Sequence, residues 1–141
     1  MEDPKLRFVL DTSALMSFYE GEDGAEKVRN LLELGKEQRA EILVPFIVPI
    51  EVYYITTQEE GEETADLRFV ALMESHVRIL SSINEPFLIT AGRLKAKYSI
   101  SLADALVAAH ALLEKAVLVH KDPEFLLLKE EVEQEVLPLK N

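Results

Sequence analysis

The chain has 141 residues, 48% of them hydrophobic and 29% charged, enough for one domain with a sizeable core. It contains no cysteine, which excludes disulfides, cysteine-ligated zinc and thiol catalysis. Its 26 acids against 15 Lys and Arg give a formal charge of −11, which argues against wholesale sequence-independent binding to nucleic acid but not against acids clustered at a metal.

The segment Arg7–Asp11 is a short apolar strand ending in an acid. Thr12 and Ser13 follow, and Ala14–Tyr19 has the composition of a helix capped by one of those hydroxyls. The GEDG at 21–24 is a turn, after which Ala25–Gln38 carries Val28, Leu31, Leu32 and Gly35 at amphipathic spacing. A second buried strand, Ile42–Val44, is closed by Pro45. The next helix starts near Phe46–Ile47 and runs to about Gln58, with Pro49 in the first turn, where its missing N–H is not needed. Glu51 then falls about one turn in. Glu59–Glu63 (EEGEE) reads as a solvated corner, and Thr64–His76 resumes helical spacing.

Val77–Ser81 is a third strand. Asn84 caps a helix with Pro86 in its first turn, running to about Lys97. Ser101 is the N-cap of a largely apolar helix over Leu102–Ala116, and Asp104 completes an S-x-x-D variant of the capping box. The strand Ala116–Val119 delivers the chain to Asp122, and Pro123 opens a helical piece to about Glu131 before a last strand, Glu135–Leu137. Short apolar strands alternating with longer helices indicate an α/β fold with a mainly parallel sheet, as a single domain over 1–141. The longest apolar run, near Ile42–Ile50, is broken by two prolines and too short to span a bilayer. The N-terminal MEDPKLRFVLD has acids before its apolar run and no small-residue cleavage site. The expectation is a cytoplasmic protein with no membrane partner.

Four acids are brought to one edge by this plan. Asp11 closes the first strand, Glu51 and Asp104 sit in early turns of their helices, and Asp122 follows the fourth strand. In an open α/β sheet, strand C-termini and the helix N-termini that follow them share the ligand-binding edge. Clustered carboxylates oppose one another's ionisation, and divalent cations relieve this. Oxygen-only ligands select Mg²⁺ or Mn²⁺, ions suited to phosphodiester hydrolysis without a Cys nucleophile or a His base. Each acid also has an ordinary structural role open to it. Asp11 can cap a helix, Asp104 can serve the capping box, and Asp122 can form a turn with Pro123. Glu51, among Ile50, Val52 and Tyr53, has no capping partner and calls for another. His110 reads as a hydrogen-bonded core or interface histidine and His76 as a surface one. Arg7, Lys121, Arg93 and Lys97 are the basic residues near the acids, each also suited to a salt bridge.

The segments LDTSAL (10–15), IEVYY (50–54), SLADALVAAHA (101–111) and HKDPEF (120–125) together resemble the PIN-domain ribonucleases, in particular the VapC-type toxins of toxin–antitoxin pairs. The resemblance covers essentially the whole chain. It implies a three-layer PIN-like sandwich around a mainly parallel sheet of about five strands, and a Mg²⁺- or Mn²⁺-dependent endoribonuclease leaving 5′-phosphate and 3′-hydroxyl ends. By match to the motifs, Asp11, Glu51 and Asp104 would be the core metal-binding acids and Asp122 the fourth, with Glu124 able to share the fourth role. Ser13 matches a hydroxyl that supports the first aspartate. The resemblance also implies an RNA substrate, a homodimer and a cognate antitoxin. One departure stands out: many relatives have Thr or Ser two residues before the fourth acid, where this sequence has His120. A PIN-fold RNA-binding or assembly module that keeps the acids without cutting is the alternative. A small-ester phosphohydrolase is weaker, because DTS lacks the second acid of a D-x-D motif.

Overall fold

The computed structural model describes residues 6–138. Five short strands form one parallel sheet: β1 (Leu6–Leu10), β2 (Ala40–Pro45), β3 (Arg78–Leu80), β4 (Val117–His120) and β5 (Gln134–Val136), in the order β3-β2-β1-β4-β5. Between them run α1 (Thr12–Tyr19), α2 (Ala25–Lys36), α3 (Ile47–Glu60), α4 (Glu62–Glu74), α5 (Glu85–Lys97) and α6 (Leu102–Glu114), with a 3-10 helix over Pro123–Leu128.

The apolar runs explain the sheet. Val9 and Leu10 of β1, Leu43 and Val44 of β2, and Leu118 and Val119 of β4 are all fully buried, as strands covered on both faces require. Right-handed crossovers fix the layers. The connections β1→β2→β3 step one way and β3→β4→β5 step back past β1, so helices α1–α4 lie on one face and α5–α6 on the other. α2 packs on β2, whereas α6 packs on β1, β2 and β4. Gly35 allows the close approach of α2, since a Cβ there would meet Ile42 Cγ1 at 2.8 Å and the His76 carbonyl at 3.0 Å.

The structure departs from the sequence expectations in several places. Helix α1 begins at Thr12, and its cap is Asp11, whose side chain accepts the Ala14 N–H; neither hydroxyl caps it. The EEGEE stretch is the exposed corner expected, but the two helices extend further into it than their spacing suggested. α3 runs to Glu60 and α4 starts at Glu62, joined by Gly61 alone at φ 98°, a conformation that glycine adopts without a Cβ penalty. The helical piece after Pro123 is 3-10 and ends at Leu128. His110 is buried with its ring stacked on Phe87 (centroids 4.2 Å apart), but its Nε2 finds no hydrogen-bond partner among the described residues.

The order reverses at β1, with β2 on one side and β4 on the other. The crevice beyond the C-terminal ends of β1 and β4 is therefore the switch point at which α/β sheets take ligands.

Candidate metal centre

Asp11 leaves β1 at that crevice with its backbone still in the ladder, its N–H donating to the Val119 carbonyl at 3.3 Å. The residue is 4% exposed. It accepts the Ala14 N–H at 2.8 Å and the Ser13 hydroxyl at 2.8 and 2.9 Å. Ser13 Oγ in turn accepts the Lys121 N–H at 2.8 Å, tying the start of α1 to the segment that follows β4.

Glu51 comes from the second turn of α3, and Pro49 in the first turn costs no hydrogen bond there. The partner that Glu51 requires is Thr12, whose hydroxyl donates to Oε1 at 2.7 Å. Sequence reasoning missed this role. Its only signal was that the D-T-S run holds two hydroxyls, one more than the first aspartate uses.

Asp104 is released from the capping box. Ser101 Oγ accepts the Asp104 N–H at 3.1 Å, but the Ser101 N–H donates to Glu124 Oε1 at 3.0 Å. The reciprocal half of the box is thus supplied from across the cleft, leaving the Asp104 carboxyl to face the other acids. Asp122 caps the 3-10 helix by accepting the Glu124 N–H on Oδ1 at 2.9 Å, which leaves Oδ2 unused by that cap.

These acids converge. Asp11, Glu51, Asp104 and Asp122 line one cleft of about 250 Å³ with Thr12, Ser13, Met16 and Ile55. Asp104, Asp122 and Glu124 each offer a carboxylate oxygen, all within 4.8 Å of one another. His120 does not line the cleft. It is completely buried beneath it, hydrogen-bonded through both ring nitrogens.

Such crowding resists ionisation. Burial, reinforced by the charges of Asp122 and Glu51, pushes Asp11 up to about 7 despite the Ala14 and Ser13 hydrogen bonds. Asp104 is pushed up to about 9, first by burial, then by its hydrogen bond with Glu124 and the charges of Asp122, Glu124 and Asp11. A carboxyl that holds its proton at neutral pH beside other carboxylates marks a site short of positive charge.

The nearby cations do not supply it. Arg7 pairs with Glu41 and Glu114, and Arg93 and Lys97 both reach Glu131. Lys121 Nζ donates to the Asp23 carbonyl at 3.0 Å and lies 3.7 Å from Glu22. The oxygen donors among the residues lining the cleft are four carboxylates and two hydroxyls, a set that fits a hard divalent ion.

A parallel sheet in this order with a carboxylate cluster at its switch point defines an α/β protein with the makings of an oxygen-ligand metal centre. The family model described as PIN domain matches residues 8–131, and the chain belongs to that family. Three similar solved structures are a VapBC2 complex from Rickettsia felis, a VapBC complex from Salmonella typhimurium and PAE2754 from Pyrobaculum aerophilum. The first, bound to a DNA fragment from its promoter, is 20% identical with a TM-score of 0.72, over 94% of this chain and 100% of that one. The second, also DNA-bound, is 19% identical with a TM-score of 0.71, over 93% and 98%. The third is 17% identical with a TM-score of 0.67, over 92% and 89%. No curated protein matches the chain.

Proposed function

We propose that this protein is a divalent-metal-dependent endoribonuclease, the toxin half of a VapC-type toxin–antitoxin pair. The observation that carries the reading is the convergence of Asp11, Glu51, Asp104 and Asp122, from four separate segments, on one cleft. Mg²⁺ or Mn²⁺ would be held by these four acids, with Glu124 sharing the position of Asp122. When bound, the ion supplies Lewis-acid polarisation of a phosphodiester oxygen and activation of the attacking water.

The chain's own residues prepare the site. Ser13 fixes the orientation of Asp11 by donating to both carboxylate oxygens, and Thr12 does the same for one oxygen of Glu51. Asp104 would have to give up its proton to serve as a ligand. Ile55 and Met16 form an apolar wall of the cleft. Because Arg7, Lys121, Arg93 and Lys97 are engaged in ion pairs, RNA phosphate would be held chiefly through the ion.

The antitoxin partner is inferred from another similar solved structure, a toxin–antitoxin complex from Klebsiella pneumoniae, 19% identical with a TM-score of 0.60. An apolar cleft of about 490 Å³ between α3 and α4, lined by Pro49, Ile50, Tyr53, Tyr54 and Phe69, is suited to a protein partner or to a homodimer contact. No helix among the described residues is long and apolar enough to cross a membrane.

The formal charge of −11 and the engaged cations weigh against RNA turnover at the cleft, and on that ground the second reading is a PIN-fold module that keeps the acids and binds or assembles without cutting. Asp11→Asn separates the two. With cleavage and gel-shift assays on the same RNAs, the variant loses cutting under the first reading. Under the second there is no cutting to lose and binding is unchanged.

A further inference from the structure

His120 occupies the last position of β4, fully buried, and both of its ring nitrogens are committed. Nδ1 accepts the Asp122 N–H at 3.0 Å and so carries no proton. Nε2 then carries it and donates to Gln134 Oε1 at 2.7 Å. That orients the Gln134 amide, whose Nε2–H donates to the Phe125 carbonyl at 2.7 Å. Only one assignment of donors satisfies the series, because its first donor is a backbone N–H and its last acceptor a backbone carbonyl. The Phe125 ring packs against the imidazole, centroids 4.9 Å apart.

The two ends of this relay, Asp122 and Phe125, bracket Pro123 and Glu124. The segment bearing both Asp122 and Glu124 is therefore stitched at each end to a residue of the sheet, His120 on β4 and Gln134 on β5. An apolar residue at 120 or 134 would leave a backbone group at the foot of the cleft without its partner, and the segment would shift to recover it.

We propose that His120 and Gln134 are a pair of positioning residues, fixing the segment 122–125 so that the carboxylates of Asp122 and Glu124 stand opposite Asp104. The inference rests on the metal-centre reading above and extends it to two residues that never face the cleft.

The test measures Mn²⁺ affinity by electron paramagnetic resonance on the full chain, alongside thermal melting. His120→Leu and Gln134→Leu should each bind Mn²⁺ about tenfold or more weakly while melting as folded proteins. His120→Asn should recover most of the affinity, because Asn Oδ1 sits where Nδ1 sits and keeps the acceptor for the Asp122 N–H. Leucine variants that are folded and bind within twofold of the parent would overturn the proposal. If His120→Leu does not fold, Gln134→Leu, on a half-buried edge position, decides alone. The ¹⁵N shifts of the His120 ring give an independent readout, with a protonated Nε2 and a bare Nδ1 expected; the opposite tautomer would refute the relay. If the parent binds Mn²⁺ without cutting RNA, the nuclease reading falls and the positioning claim is still judged on affinity. If it binds no Mn²⁺, the metal-centre reading falls and the proposal with it.

Discussion

Metal binding at this site should release a proton. At pH 7.5 a carboxyl with its pKa at about 9 is almost wholly protonated, and one at about 7 is mostly ionised. A cation entering among Asp11, Asp104 and Asp122 requires all of them as carboxylates. Asp104 must then give up nearly one proton and Asp11 a small fraction of one, so the release is about one per site. Affinity should accordingly rise about tenfold per pH unit between roughly 7 and 9 and level off above that. Isothermal titration of Mn²⁺ into the protein in HEPES and in Tris, which differ in ionisation enthalpy, measures the release directly. Repeating it at pH 8.5 and 9.5 should show the release falling towards zero. Glu124→Gln, which replaces one carboxyl of the hydrogen-bonded pair, should shrink it. Binding without proton release at pH 7.5, or with a release independent of pH, would refute a protonated Asp104 in the metal-free cleft.

Other consequences follow from the same geometry. Because Asp11 is raised from 3.8 to about 7, its contribution to the stability of the metal-free protein is fully present below pH 4 and lost as pH rises through 7. Urea melts in EDTA should register a loss of a few kcal/mol over that range, and saturating Mn²⁺ should remove most of it. His110 shifts the other way, lowered by burial from 6.5 to about 4. It holds stability above pH 6.5 that is lost as pH falls to 4, and His110→Phe should flatten that limb by ~1–2 kcal/mol after allowance for solvent screening. Ser13→Ala removes a donor to Asp11 and strands the Lys121 N–H, so it should cost ~1–2 kcal/mol in a urea melt and weaken Mn²⁺ binding. Gly35→Ala gains up to ~1 kcal/mol of helix propensity. It also drives a methyl to 2.8 Å from Ile42 Cγ1, and overpacking of ~1–3 kcal/mol should win as a lowered melting temperature.

The elements were legible in the sequence where one physical signal dominated. The runs at Phe8–Leu10, Ile42–Val44 and Leu118–Val119 had only a doubly covered strand as an outcome. Pro49, Pro86 and Ser101 each marked a helix start that the structure keeps. What escaped was the choice among adjacent residues able to do one job. Asp11, Thr12 and Ser13 can all cap α1. The aspartate takes that role because Thr12 is drawn to Glu51, while Ser13 bridges Asp11 to Lys121. The same applies at Ser101, where local spacing offered Asp104 but Glu124, 23 positions away, supplies the bond. Gln134 gave no sequence signal at all, since its role exists only once β5 lies beside β4. The four acids could be placed without that detail, because strand ends and helix starts in a parallel sheet share an edge.

The central claim, that this carboxylate cluster is a metal-dependent ribonuclease site, meets its most direct test in one assay. A mixed pool of structured and single-stranded RNAs is incubated with the protein in Mn²⁺, Mg²⁺ or EDTA, beside an Asp104→Asn variant shown by melting to be folded. The account predicts cleavage with either ion, none in EDTA, none from the variant, and products bearing 5′-phosphates. Cleavage that survives EDTA or the substitution, or a folded, Mn²⁺-loaded parent that leaves every RNA intact, would contradict it.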